Sequence, residues 1–267
     1  MKEITSVEEL RQIQMDIMDH IHEICEKNGI RYTLGGGSLL GAVRHKGYIP
    51  WDDDIDLVML REDYDRLFDA LAKEKSYYRG ITFESDEDYT LSYGKVLDDR
   101  TVMQEAVDVA PTGVFVDVFP IDNFSDDDAE GMRVMKKCRS LLNRYAMKTM
   151  RWRKGRALSK NLFLMACKVI LCRTSARSLA LKLDKTARTS NNENTKRVAI
   201  YLGVYGEREI FQREKFEEYI DYLFEDRTYK GIKDYDYYLS KLYGNYMQLP
   251  PKEQQVTHHS FKAWWKE

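Results

Sequence analysis

The sequence predicts a mixed α/β (α+β) fold with flanking helices and a basic helical subdomain, and three observations predict it. Along the first 130 positions the apolar residues switch between the three-and-four spacing of helices and the alternation of strands. A triple glycine, Gly35-Gly36-Gly37, separates a short strand pattern from a short helical one. Beyond residue 126 the pattern turns helical and the charge changes sign. Residues 1–130 hold 13 Lys/Arg against 30 Asp/Glu, whereas residues 131–190 hold 17 Lys/Arg and one acid, Asp184. The overall net charge of −2 across 267 residues conceals this division, which suggests that different parts face different partners.

The elements follow in order. Leu10, Ile13, Ile17, Ile21 and Ile24 form one apolar helical stripe, stopped by Asn28-Gly29. A strand is expected from Arg31 to Gly36, then a brief helix from Ser38 to His45, broken by Gly47 and Pro50. Asp54 to Leu60 reads as a strand and Arg61 to Lys73 as a helix with Tyr64, Leu67, Phe68 and Leu71 on one side. Further strands are expected at Thr82–Ser85, Thr90–Leu97 and Gly113–Phe119. Residues 157–172 are apolar nearly all round, and 175–189 form an amphipathic helix with Leu181 off its apolar arc. The expected organisation is 1–130, then a basic helical subdomain over 131–200, then a tyrosine-rich segment over 201–267 that completes the first unit.

Chemistry concentrates in Pro50-Trp51-Asp52-Asp53-Asp54-Ile55-Asp56-Leu57. On a strand Asp54 and Asp56 project to one face while Ile55 and Leu57 enter the core. Two carboxylates so placed repel each other unless a cation lies between them, and oxygen-only ligands suit Mg²⁺ or Mn²⁺. A bare Asp-x-Asp is also compatible with a solvated acidic loop. Asp117, in Gly113-Val114-Phe115-Val116-Asp117-Val118-Phe119-Pro120, favours the cage over the alternative of a lone salt bridge, because a carboxylate among valines needs a buried partner and its strand is expected beside that of the Asp-x-Asp. Asp122 reads as a turn residue or a supporting base and is counted with the substrate-binding candidates. The amides of Gly36 and Gly37, with the helix start at Ser38, suit an anion. Arg44, His45 and Lys46 are candidate diphosphate clamps or solvated cations, as are Lys95 and Arg100 around an expected turn at Val96–Asp99. Tyr48, Trp51, Tyr93 and Tyr246 are candidates for an aromatic cage around a quaternary ammonium.

The glycine turn after a strand, the Asp-x-Asp on the next strand and the later lone acid resemble the nucleotidyltransferase fold. The fuller wording, Gly36–His45, Gly47–Asp56 and Phe115–Asp122, with Tyr238-Leu239, Tyr243–Met247 and Leu249–Pro251, is similar to the LicD family of phosphocholine transferases. That family includes the related domain of fukutin-type ribitol-phosphate transferases. The resemblance covers roughly 30–124 and 224–260. It implies transfer of phosphocholine from CDP-choline, or of a similar group from another CDP-alcohol, to a hydroxyl of a cell-surface glycan precursor such as a teichoic acid or lipopolysaccharide, with release of CMP. It also implies that Asp54, Asp56 and Asp117 hold divalent metal and that Gly37 and Ser38 touch the diphosphate. Two other readings remain open: a nucleotidyltransferase acting on a small molecule with release of pyrophosphate, and a non-catalytic polyanion-binding scaffold.

The basic helices stand largely outside the resemblance. Over 157–190 they suit peripheral contact with an anionic membrane carrying a lipid-linked acceptor, or a cap that neutralises the acidic unit. No stacking aromatics interleave with the cations, so nucleic acid is not expected. The four cysteines form no CxxC pair, no signal peptide is readable, and no apolar run approaches the roughly 20 residues of a membrane span, so a cytoplasmic protein is expected.

Overall fold

The structure, a computed structural model, describes residues 1–104, 112–150, 152, 157–256 and 262–267. In chain order the elements are β1 (Lys2–Ile4), α1 (Val7–Asn28), β2 (Thr33–Leu34), α2 (Gly36–Arg44), β3 (Asp56–Leu60), α3 (Arg61–Leu71), β4 (Tyr78–Ile81), β5 (Gly94–Gln104) and β6 (Thr112–Phe124). The helical part follows as α4 (Asp128–Thr149), α5 (Leu158–Ile170) and α6 (Ala176–Ala187). The chain returns through β7 (Arg197–Ala199), β8 (Ile210–Gln212), the hairpin β9 (Tyr219–Phe224) and β10 (Arg227–Ile232), α7 (Tyr235–Tyr243) and β11 (Lys262–Trp265).

The main sheet runs β1-β11-β5-β6-β3-β2, with β4 beside β5 and with β7 and β8 extending from the far end of β6. Among the described residues only β3 and β6 pair in parallel, and the other pairs are antiparallel. This gives the expected mixed sheet flanked by helices. In the middle of β6, Val114, Val116 and Val118 are fully buried, and α1 packs across β5 and β6. The α1 stripe is buried as its spacing predicts. Ser6 caps the helix by accepting the Glu9 N–H at 3.0 Å, and Gly29 ends it at φ 59°, a left-handed conformation that glycine adopts freely.

Several boundaries differ from expectation. The strand before the glycines is only Thr33–Leu34, because the chain already turns at Gly35 to open α2. The expected strand at Thr82–Ser85 is a turn instead, closed by the Thr82 N–H donating to Ser85 Oγ at 2.9 Å; the strand there is β4, just before it. β5 begins at Gly94, later than expected, and carries Val96–Asp99 inside it. Arg100 is therefore not at a turn, and it is held bidentately by Asp98. Lys46 lies past the end of α2 at φ 61° and does not share the helix with Arg44.

A second apolar cluster joins α4 and α6 through Val134, Met135, Cys138, Leu141, Leu179 and Leu183, and adds Phe124, Tyr201 and Leu202 from either side. The C-terminal segment packs back on the first unit: the Tyr229 hydroxyl donates to Asp19 at 2.8 Å, and β11 lies between β1 and β5.

Candidate active site

The site forms at the N-terminal end of β3, where a loop descends from α2. Arg11 of α1 donates to the carbonyls of Ile49 (3.1 Å), Pro50 (3.2 Å) and Asp52, and Gln14 donates to the Asp53 carbonyl at 2.9 Å. Four backbone carbonyls of the acidic loop are thus fixed by two side chains from one face of α1. The Asp56 N–H donates to Ser38 Oγ at 2.8 Å, and the Gly35 N–H donates to the Asp56 carbonyl at 2.8 Å. Ser38 is buried, and its hydroxyl ties the carboxylate strand to the glycine turn. Its Oγ accepts in that bond, which leaves the hydroxyl proton for another partner.

Asp56 and Asp117 are register partners in the parallel β3–β6 pair, so both side chains leave the same face of the sheet. Asp54 lies just before the strand, since β3 begins only at Asp56. Strand alternation therefore does not govern residues 52–55. Carboxylate oxygens of Asp52, Asp53 and Asp54 come within 4.8 Å of one another. The tight oxygen triplet belongs to consecutive loop residues and differs from the expected set of Asp54, Asp56 and Asp117. Asp56 and Asp117 stand next to it. Burial pushes the Asp54 carboxyl up to about 10, and repulsion from Asp56, Asp52 and Asp117, in that order, adds to the effect. A half-buried group of acids in which one member is raised by its neighbours suits a hard divalent cation, and the oxygen-only donors suit Mg²⁺ or Mn²⁺.

Lys95 brings a positive charge to this group. Its Nζ lies 3.1 Å from Asp117 Oδ1 and 3.0 Å from the Phe115 ring centroid, and the residue is only 1% exposed. It lies beneath the carboxylates and not on the open surface.

The glycine turn needs its glycines for geometric reasons. Gly36 has φ +45°, and a Cβ at Gly37 would come 2.7 Å from Asp52 Oδ2. The Gly36 N–H donates to the hydroxyl of Tyr238 at 3.1 Å. A Cβ at Gly36 would lie 3.5 Å from Asp56 and 3.6 Å from the Tyr243 hydroxyl, which places that tyrosine at the same turn. Tyr205 meets Tyr243 edge-on, with ring centroids 5.4 Å apart. Burial holds Tyr243 well above the usual phenol range, so its hydroxyl keeps its proton.

A groove of about 470 Å³ adjoins the cluster, lined by Leu40, Arg44, Trp51, Tyr243, Tyr246 and Pro250 among others. Arg44 donates to the Tyr246 carbonyl at 2.7 Å and to His45 Nε2 at 2.9 Å. Burial and then the Arg44 charge lower the His45 imidazole, which is neutral at pH 7. Of the aromatic candidates, Trp51 and Tyr246 line this groove. Tyr48 is buried under Arg11 and Phe224, and Tyr93 packs on Phe119.

Asp122 requires a correction. It is fully buried, five residues along β6 from Asp117, and Arg61 donates to both its oxygens at 2.7 Å while Asn191 adds a third bond. Residues five apart on a strand point to opposite faces. Asp122 therefore belongs to a structural ion pair and is not a substrate contact. The sequence reading did not single out Arg11, Gln14, Asp52 or Tyr243. Asp52 carried a signal as the first of three consecutive acids, and Tyr243 as the start of the Tyr243–Met247 stretch similar to the LicD family.

The family model for the LicD/FKTN/FKRP nucleotidyltransferase domain matches residues 29–148, which contain the glycine turn, the acidic loop and both site strands. Over 99% of its length the chain is 32% identical to the lipopolysaccharide cholinephosphotransferase LicD of Haemophilus influenzae, 99% of which is covered. The chain belongs to the LicD family. An uncharacterized protein of Rickettsia prowazekii is 32% identical over 121 residues, 45% of each chain. The ribitol 5-phosphate transferase FKRP of Homo sapiens is 58% identical over 40 residues, 15% of this chain and 8% of that protein. The expected membership in the LicD family is thereby established.

Proposed function

We propose that the protein transfers phosphocholine, or a similar phospho-alcohol, from a CDP-alcohol to a hydroxyl of a glycan acceptor, with CMP as the leaving group. The observation that carries this reading is the convergence of Asp52, Asp54, Asp56 and Asp117 beside a glycine turn and an aromatic groove. The full-length relative named as a lipopolysaccharide cholinephosphotransferase supports the moved group and an acceptor of the lipopolysaccharide type. A teichoic acid precursor would present the same hydroxyl chemistry.

Asp54, Asp56 and Asp117, joined by Asp52, would hold Mg²⁺ or Mn²⁺. When bound, such an ion supplies Lewis-acid stabilisation of charge on the diphosphate. The protein's own groups do the rest. Gly36, Gly37 and Ser38 keep the turn close enough for the donor to reach the carboxylates without a side chain intervening. Lys95 offsets the negative charge of Asp117 from below. Trp51, Tyr243 and Tyr246 offer ring faces to a quaternary ammonium or a base, and Arg44 offers a cation to phosphate at the same groove. In the reaction the acceptor oxygen forms a bond to the alcohol-bearing phosphorus and the bridging oxygen leaves with CMP. The acceptor proton passes to a carboxylate of the cluster.

The test is incubation with Mg²⁺ and a panel of CDP-alcohols, with and without acceptor glycan. Acceptor-dependent CMP release from one donor supports the reading. Pyrophosphate release from a nucleoside triphosphate, or no turnover with any donor, rejects it.

A further inference from the structure

Helix α5 displays a surface that the transferase chemistry does not use. Leu158, Leu162, Met165 and Val169 recur at i, i+4, i+7 and i+11, forming one stripe, and Phe163 and Ile170 form a second stripe beside it. All six are exposed, from 54% at Leu162 and Met165 to 80% at Ile170. Buried residues on this helix are only Asn161 and Cys167. The inner side rests on α4, where Lys148 Nζ donates to the Leu171 carbonyl at 3.2 Å just beyond the helix end. An apolar face of this size, continuous over more than three turns, is uncommon on a surface that meets only water.

Along residues 131–190 the charge around it has one sign. Lys160 and Lys168 belong to the helix itself, toward the side of Asn161 and Cys167, and Arg173 follows it. The single acid of residues 131–190, Asp184, is turned inward between Arg61 at 3.1 Å and Arg188 at 3.0 Å. Among the described residues of this segment, no carboxylate therefore faces outward. Two copies meeting through this face would bring like charges together, whereas an anionic bilayer complements them. Thirteen residues rise only about 20 Å, too short to cross a bilayer, and no helix of the described residues is long and apolar enough to do so.

We infer that α5 is an in-plane docking surface for an anionic lipid bilayer. The six apolar side chains enter the headgroup–acyl boundary and the basic flanks lie against the lipid phosphates. The inference is independent of the transferase reading, since docking is measured with neither donor nor acceptor present.

The test uses the full chain and vesicles of phosphatidylcholine, alone or mixed with phosphatidylglycerol. Cys172 is the exposed one of the four cysteines, two residues beyond α5, so an environment-sensitive thiol probe there reports insertion without any substitution. The expected result is a blue shift and sedimentation with the mixed vesicles, roughly tenfold or more tighter than with neutral ones and weakened by salt. Phe163→Asp with Val169→Asp, and separately Lys160→Glu with Lys168→Glu, should each reduce binding at unchanged circular dichroism and melting temperature. Equal partitioning to neutral and anionic vesicles would overturn the inference. So would undiminished binding by the double aspartate variant, or lipid-free self-association that the same aspartates abolish while vesicles leave the protein in solution.

Discussion

Replacing Asp54 with asparagine should make the metal-free protein more stable. Burial and the carboxylates of Asp56, Asp52 and Asp117 raise Asp54 from 3.8 in the unfolded chain to about 10 in the fold. Between those values the folded state retains a proton that the unfolded state has released. Stability therefore falls as pH rises through that window. At pH 7 about three pH units of the window have been crossed, and at about 1.4 kcal/mol per unit the cost is roughly 4 kcal/mol. Asparagine carries no such cost, although it loses part of the local hydrogen bonding. The expected gain for Asp54→Asn in chelator is about 2–4 kcal/mol, or roughly 5–15 °C in melting temperature for a chain of this size. Saturating Mg²⁺ should narrow or close the gap: at about a hundred times its dissociation constant it adds about 2.7 kcal/mol to the parent, and little to the variant. The assay is thermal and urea unfolding of both proteins, in chelator and in Mg²⁺, from pH 4 to pH 8. The gap between them in chelator should close toward pH 4. A variant less stable than its parent in chelator at pH 7, or a Mg²⁺ shift retained in full by the variant, would refute the carboxylate-cluster argument.

Asp117→Asn should cut turnover roughly a hundredfold or more, and it should also lower the melting temperature, because the buried Lys95 loses a charged partner. Asp122→Asn should keep turnover while losing about 1–3 kcal/mol of stability through the weakened Arg61 pair; steady-state rates alongside melting curves check both. Gly37→Ala places a methyl 2.7 Å from the movable Asp52 carboxylate and should cost up to about a hundredfold in activity at small cost in stability. Gly41→Ala meets the rigid Gly47 carbonyl at 2.3 Å and should instead lower stability by about 1–3 kcal/mol, read by urea unfolding. Glu209 is raised to about 7 by burial, against the opposing Tyr205 and Gly206 N–H bonds, so its contribution to stability declines as pH rises from about 4.5 to 7 and is then flat. Glu209→Gln should remove up to about 3 kcal/mol of that decline, measured as the difference between the two unfolding curves across pH.

The elements best read from sequence were those with a strong local pattern. The α1 stripe, its stop at Gly29, the amphipathic α6 and the β-branched core of β6 all follow from side-chain periodicity, which a chain carries whatever its tertiary contacts. The three-residue strands β1 and β7 and the four-residue β11 carried no such pattern, because their pairing partners are distant in the chain. Lys95 and Asp122 show the same limit for single residues. One rests under the carboxylates and the other is closed off by Arg61, and neither environment is encoded near them in the chain. His258 and His259 of the C-terminal segment lie outside the described residues.

What the chain determined by itself was composition and order: acids at 52–56, glycines at 35–37, a valine-flanked Asp117 and a stretch of cations from 131 to 190. Those features sufficed for the family and the class of chemistry. The tertiary structure decided which acids share a space, because the parallel register of β3 and β6 alone sets Asp117 opposite Asp56. It also decided that Asp184 turns inward and that the apolar face of α5 turns outward. Burial and like-charge repulsion depend on distance through space, and a linear sequence does not contain that distance until the chain has folded.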